Sequence, residues 1–215
     1  MGGATDSAIV VGAHFDHSRQ GLGVIDNWSG ASLLPSLVES VRSSERRHTF
    51  VFAGFSQQGG GLISSFLAGS YFYAGQLDKE HLSKIAAMID FDSIGAGPTK
   101  VEHSTADARL LQMALEMTAA MKLPLTSLDV RPAGYSDDLP FRSMHVPTLL
   151  FHSVTRESLK LLHSTADNYQ ALKMDDYYNT YRTAAIFLAY LDVTLDVRAR
   201  QGIESIPPTL QRTPE

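Results

Sequence analysis

The chain has 215 residues, with 18 Lys+Arg against 23 Asp+Glu for a net charge of −5, 44% hydrophobic residues and no cysteine. That length suits one domain able to bury a core, and the composition excludes a disordered tail or a small cross-linked scaffold. The acidic balance argues against a nucleic-acid partner, and the lack of cysteine rules out disulfides, thiolate metal sites and cysteine nucleophiles.

Met1–Ala4 carries no signal-peptide pattern and leads almost directly into the first predicted element, the apolar run Ala8–Ala13, which reads as a buried strand. A polar, glycine-containing loop from His14 to Asn27 follows. Ala31, Leu34, Val38 and Val41 then recur at helical spacing, with Ser29 as a candidate cap and Pro35 expected to kink the helix or delay its start. Thr49–Phe55 reads as a second strand and Leu62–Tyr73 as a second helix. A third strand runs over Lys84–Phe91, ending at Asp92, and an amphipathic helix over Ala106–Met121. A loop around Pro132–Pro140 precedes a fourth strand, Pro147–Phe151. The last long helix spans about Asp175 to Val197, with Tyr178, Tyr181, Ala185, Leu188 and Leu191 on its apolar face. The expected division is a domain over residues 1–198 and a Pro-containing tail over 199–215. No apolar run approaches the roughly 20 residues that cross a bilayer.

Strands alternating with helices predict an α/β layered sheet covered on both faces, in which ligands sit at the carboxyl ends of strands. The polar residues that could carry chemistry do follow strands. They are His14-Phe15-Asp16 after the first, Asp26-Asn27-Trp28-Ser29-Gly30 beyond the loop, Asp92-Ser93 after the third, and His163-Ser164-Thr165-Ala166-Asp167 late in the chain. Imidazole with carboxylate is a zinc-type ligand set, and Asp16, two residues from His14, can orient the imidazole by accepting its second N–H.

These residues resemble the co-catalytic zinc aminopeptidases of the aminopeptidase Y type, a group that takes in glutamate carboxypeptidase and, more distantly, glutaminyl cyclase. The family's G-A-H-x-D, D-N/P-x-S-G, F-x-x-x-x-x-E-E-x-G-L-x-G-S, S-D-H-x-P-F and H-T-P-x-D patterns have counterparts in order. These are Gly12–Asp16, Asp26–Gly30, Phe52–Ser65, Ser136–Phe141 and His163–Asp167, with Asp92 in its place after a hydrophobic strand. The resemblance spans residues 8 to about 195. It implies a three-layer α/β sandwich with a mixed central sheet between helices. It also implies that other members carry residues before the first strand, so the chain is expected to begin inside the family domain, which leaves a periplasmic or secreted location open. By resemblance, His14, Asp26 and Asp92 make one zinc site, and Asp26 bridges to a second completed by a glutamate and His163. The first glutamate of the family's Glu-Glu pair is the general base.

The pattern breaks at that pair. Between Glu45 and Asp78 there is no Asp or Glu, and alignment on Gly61-Leu62 and Ser65 puts Gln58 at the base position and Gly59 at the ligand position. A carboxamide is no base near neutral pH, and general-base catalysis is worth about 10²–10⁴ in rate. Two divalent ions bring four positive charges, whereas Asp26 and Asp92 supply only two negative ones, so at most one tightly bound zinc is expected. Asp138 also stands where the family has His, and Leu162 where many members have Tyr. The sequence therefore points to a zinc-aminopeptidase-like protein with a degraded site, inactive or weak as a peptidase. As a binding module it would be comparable to the family folds of the transferrin receptor ectodomain and nicastrin. The expected partner is a peptide or small amide-like ligand, or another protein.

Two enzymatic alternatives stand beside that reading. An active metal-dependent hydrolase would need a relocated base, with Asp137 or Asp138 as the candidates. A serine esterase would use Ser56, because Gly54–Gly60 is similar to a nucleophile elbow and Asp137 and His163 follow in the required order; Gln58 fills the place that needs a small residue. His17, His48, His81, His103, His145 and His152 read as surface or packing histidines. Trp28 is expected to wall the pocket or pack in the core.

Overall fold

The computed structural model describes residues 1–56, 67–129 and 134–195. Its strands are β1 (Ala8–His14), β2 (Thr49–Phe55), β3 (Ile85–Phe91), β4 (Lys100–Val101), β5 (Thr126–Ser127) and β6 (Thr148–His152). Its helices are α1 (Ser29–Arg42), α2 (Ala68–Gly75), α3 (Lys79–Lys84), α4 (Ala108–Met121), α5 (Asp138–Ser143) and α6 (Met174–Thr194). The strands form one sheet in the order β2-β1-β3-β6-β4-β5, parallel throughout except where β4 runs antiparallel to β6. The expected mixed sheet between helical layers is therefore what the chain forms.

Alternation along β1 builds the three layers. Ile9, Val11 and Ala13 pack on one side with Leu33 and Leu37 of α1, Met113 of α4 and Phe187 and Leu191 of α6. Val10 turns the other way, onto Ala74 of α2 and Phe141 of α5. Successive strand side chains face opposite surfaces, so a sheet buried on both sides reads as a continuous apolar run. Phe151 of β6 joins sheet to helices: its ring stacks on Phe91 at 5.3 Å between centroids and meets Phe187 at 5.5 Å.

Register then delivers the polar residues. Gly12 of β1 is level with Asp90 of β3, so His14 and Asp92, each two residues further on, leave the sheet side by side. At the far end of the fold, the Asp192 carboxylate of α6 accepts backbone N–H bonds from Arg47 (3.0 Å) and His48 (2.8 Å) just before β2.

Several local expectations need correction. Ser29 does not cap α1. Its hydroxyl donates to the Ile25 carbonyl at 2.7 Å and accepts the Ile94 N–H at 2.9 Å, which ties the helix start to the segment after β3. Pro35 does not delay the start of α1, which begins at Ser29 and runs on to Arg42 around a ring without an N–H to offer. The segment read as a loop before β6 contains α5, whose Pro140 sits in the first turn, where no intrahelical N–H is needed. Helix α3, and the two-residue strands β4 and β5, have no counterpart in the predicted elements. Leu62–Phe66 and the stretch from residue 196 onward lie outside the described residues.

Replacing Phe151 with Ala removes a fully buried ring from the junction of β3, β6 and α6. Phe151→Ala is expected to cost about 3–5 kcal/mol in chemical denaturation. A loss below 1 kcal/mol would mean that this ring is not the keystone described.

Candidate metal centre

His14 is the last residue of β1, and its buried ring is fixed from behind. Nδ1 lies 3.0 Å from the Asp16 carbonyl and 3.5 Å from the Asp16 carboxylate. The backbone carbonyl thus shares with the side chain the orienting role expected of Asp16. With the Nδ1 proton directed there, the neutral ring presents a lone pair at Nε2. That atom is sealed from solvent and makes no hydrogen bond of acceptable geometry. It faces Asp26 Oδ1 at 3.2 Å and Asp92 Oδ1 at 3.7 Å.

Asp26 belongs to a wide turn, Val24–Trp28, that leads into α1, and the Asp26–Asn27 peptide is cis. Asn27 holds this turn against β3. Its amide donates to the Phe91 carbonyl at 2.9 Å, and its Oδ1 accepts from Gly30 (2.9 Å) and Ser93 (3.1 Å). A side chain at Gly30 would drive its Cβ to 2.3 Å from the Phe91 carbonyl, so only glycine permits this approach of α1 to the strand carrying Asp92. The second oxygen of Asp26 meets His163 Nε2 at 2.9 Å. His163 and Ser93, which follows Asp92, adopt left-handed φ angles of 58° and 57°, a conformation that L side chains rarely take and that gathers at functional sites.

The structure therefore brings together His14, Asp26, Asp92 and His163, with Asp26 between the two histidines. One oxygen each from Asp26 and Asp92 and one nitrogen from His14 lie within 4.8 Å of one another. A buried imidazole lone pair aimed at two carboxylates is a donor set that fits a divalent cation. Without a cation, one proton can serve in its place: burial pushes the His14 pKa down, but Asp16, Asp26 and Asp92 outweigh it and leave it well above the usual value. His163 is raised as well, chiefly by its bond to Asp26.

Behind Asp92 stands a second group of acids. The Ser136 hydroxyl lies 2.8 Å from both Asp90 Oδ2 and Asp92 Oδ2, and one hydroxyl proton can satisfy only one of them. Burial raises Asp90 well above the carboxylate range, Asp137 to about 7 and Asp138 to about 6.

A cavity of about 370 Å³ opens over the centre. His14, Asp26, Asp92 and His163 line it together with Leu150, His152, Val154 and Leu162, and with Arg19, Gln20 and Tyr135. Asp137 and Asp138 are buried and do not line it, nor does Ser56. Trp28 neither lines the cavity nor packs in the core, being half exposed. Gln58 and Gly59 lie outside the described residues.

His17 and His152 both line the cavity, although sequence reading set them aside as surface or packing histidines. Two residues from Leu150, His152 shares the cavity face of β6 while Phe151 points into the core. Its Nδ1 accepts the Val154 N–H at 3.1 Å, and burial, with Lys100 nearby, lowers it to about 4. It is a neutral ring at physiological pH.

The comparisons decide the kinship of this chain. The family model described as Peptidase family M28 matches residues 1–188. The chain belongs to that family. Over 94 residues it is 31% identical to aminopeptidase Y of Saccharomyces cerevisiae, covering 44% of this chain and 17% of that protein. Over 95 residues it is 30% identical to leucine aminopeptidase 2 of Trichophyton rubrum, covering 44% and 18%. The chain thus spans under a fifth of these relatives' length. Among solved structures, a zinc aminopeptidase from Bacillus subtilis superposes with a TM-score of 0.73 at 20% identity, over 85% of this chain and 46% of that one. An Acidobacteriales bacterium glutaminyl cyclase gives 0.73 at 18%, over 88% and 71%. At such identities the structural likeness shows the shared M28-type fold.

The acid group yields a pH prediction. Asp138 titrates at 3.8 when unfolded and about 6 when folded, so the stability it contributes is complete below pH 4 and lost as pH rises toward 6. Asp138→Asn removes that dependence. In chelator, the variant should be more stable than the parent chain by about 2–3 kcal/mol at pH 8, at 1.36 kcal/mol per unit, and no more stable at pH 4. An equal difference at both pH values would contradict the assignment.

Proposed function

We propose that this M28 chain holds a single zinc ion on His14, Asp26 and Asp92 and acts as a weak or inactive peptidase that binds peptide or small amide-like ligands in the cavity above. The observation that carries the metal half of this reading is the solvent-sealed His14 Nε2 facing two carboxylates. His163 supports the far oxygen of Asp26. Zinc held there supplies Lewis-acid polarisation of a bound carbonyl. The residues around it orient the ligand: His14 and Asp92 hold their places from strand ends and Asp26 from the turn before α1, and Leu150, Val154 and Leu162 give an apolar wall.

The missing carboxylates carry the catalytic half. Gln58 and Gly59 stand where the resemblance calls for a base and a ligand, and a carboxamide cannot take a proton from water near neutral pH. Asp137 and Asp138 do not replace it from where they sit, since both lie behind the cavity wall. With one ligand short, the second metal position keeps only Asp26 and His163 of the expected set.

Metal analysis of the purified chain should return one zinc per chain, lost in His14→Ala; two tightly held ions would defeat the single-site reading. On aminoacyl nitroanilides the chain should turn over about 10²–10⁴ more slowly than a family aminopeptidase carrying the Glu pair, and Gln58→Glu/Gly59→Glu should recover part of that difference. Chelator-sensitive turnover at the full rate of such an enzyme would instead establish an active hydrolase with its base elsewhere.

A further inference from the structure

Asp167 lies four residues after His163, and its buried carboxylate does not point at the metal centre's ligand atoms. One oxygen accepts the Ile25 N–H at 2.7 Å and the other accepts the Asp26 N–H at 3.1 Å. Its carbonyl accepts a third bond, from the Leu22 N–H at 2.9 Å. These bonds join segments 142 and 141 residues apart in sequence. Gly21 presses against the same loop, where any Cβ would come within 2.2 Å of the Ser164 carbonyl. The turn that carries Asp26 and the loop that carries His163 are therefore fastened to each other through one side chain.

We propose that Asp167 is a positioning residue for the metal centre: by gripping the backbone of Asp26 from the loop of His163, it sets the placement of the one carboxylate shared between the two histidines. The inference rests on the metal reading above. The alternative places for such a grip are already in use, because Asn27 anchors the turn on its other side, to Phe91 and Ser93 of the strand that carries Asp92. Asn27 fixes Asp26 relative to Asp92, and Asp167 fixes it relative to His163. Removing either hold leaves the carboxylate attached to only half of its site.

Charge makes the role selective for a carboxylate. Two N–H groups converge on two oxygens, so an amide in the same place keeps one acceptor and turns an NH₂ group toward the other N–H. A purely structural clasp would lower stability when weakened and leave the intact metal site unchanged. A positioning clasp changes how the metal is held in protein that is still folded.

The experiment compares the parent chain with Asp167→Ala, Asp167→Asn and, as a control on an exposed neighbour in the same loop, Thr165→Ala. Zinc affinity is measured by competition with a chromophoric chelator, the visible spectrum is recorded with cobalt(II) in place of zinc, and folding is checked by circular dichroism at the same temperature. Zinc affinity should fall about 10–100-fold in Asp167→Ala, the range typical for loss of a residue that orients a ligand, and less in Asp167→Asn. The cobalt bands should shift in both, and Thr165→Ala should match the parent. If Asp167→Ala fails to fold, Asp167→Asn decides by the same readings. Folded Asp167 variants that bind zinc within twofold of the parent, with unchanged cobalt bands, would overturn this inference and leave the metal reading standing. A parent chain that takes up no zinc would overturn the metal reading, and this inference with it.

Discussion

The negative charge concentrated at one end of the sheet governs the rest of the structure. Asp26 and Asp92 are brought against His14 inside a wall that excludes much of the solvent, and the fold must hold them there against their mutual repulsion. Asp92 is held by the Ser136 and Ser93 hydroxyls, and the turn that carries Asp26 by Asn27 and by the Asp167 carboxylate, which accepts the Asp26 N–H. The Asp26 carboxylate itself lies between His14 and His163. The parallel sheet supplies the frame, because adjacent parallel strands end at the same edge and β1 and β3 are neighbours there.

The acids behind the centre follow from the same constraint. Asp90 sits two residues before Asp92 and shares the Ser136 hydroxyl with it, and its Oδ2 also accepts the Asp138 N–H. Burial disfavours a charge at Asp90, Asp137 and Asp138, and each is pushed toward its protonated form. The wall of the site is in this way made from carboxyl groups that shed their charge. His152, an uncharged ring on the cavity face, is lowered by the same burial.

Much of this was legible in the sequence, and the gaps have physical causes. His14 and Asp92 could be picked out because each closes or follows a strand whose apolar pattern is strong, and Asp26 and His163 because of their place in a family order. The strands β1, β2, β3 and β6 were readable for the same reason. Strands of two residues such as β4 and β5 show no period at all, and α5 was hidden by Pro140 and a pair of aspartates that usually mark a loop. His152 was missed because a strand buried on both faces gives no sign of which face borders a cavity. Asn27 and Asp167 were quoted as parts of motifs, but their work is done on backbone N–H and carbonyl groups that any residue could have supplied. The Gln58 and Gly59 positions, which weigh most on activity, remain a reading of the sequence.

The clasp between Asp192 and the amides of Arg47 and His48 has a consequence for the way the chain reaches this state. The central strand β1 finds its partners in β2 and β3, yet β2 is pinned at its entrance by a residue near the end of α6, some 145 positions later. Helix α6 also closes the layer that covers α1. The outer face of the early strands is therefore sealed only once α6 is in place. Contacts this distant in sequence make folding slow and leave apolar surface exposed until they form.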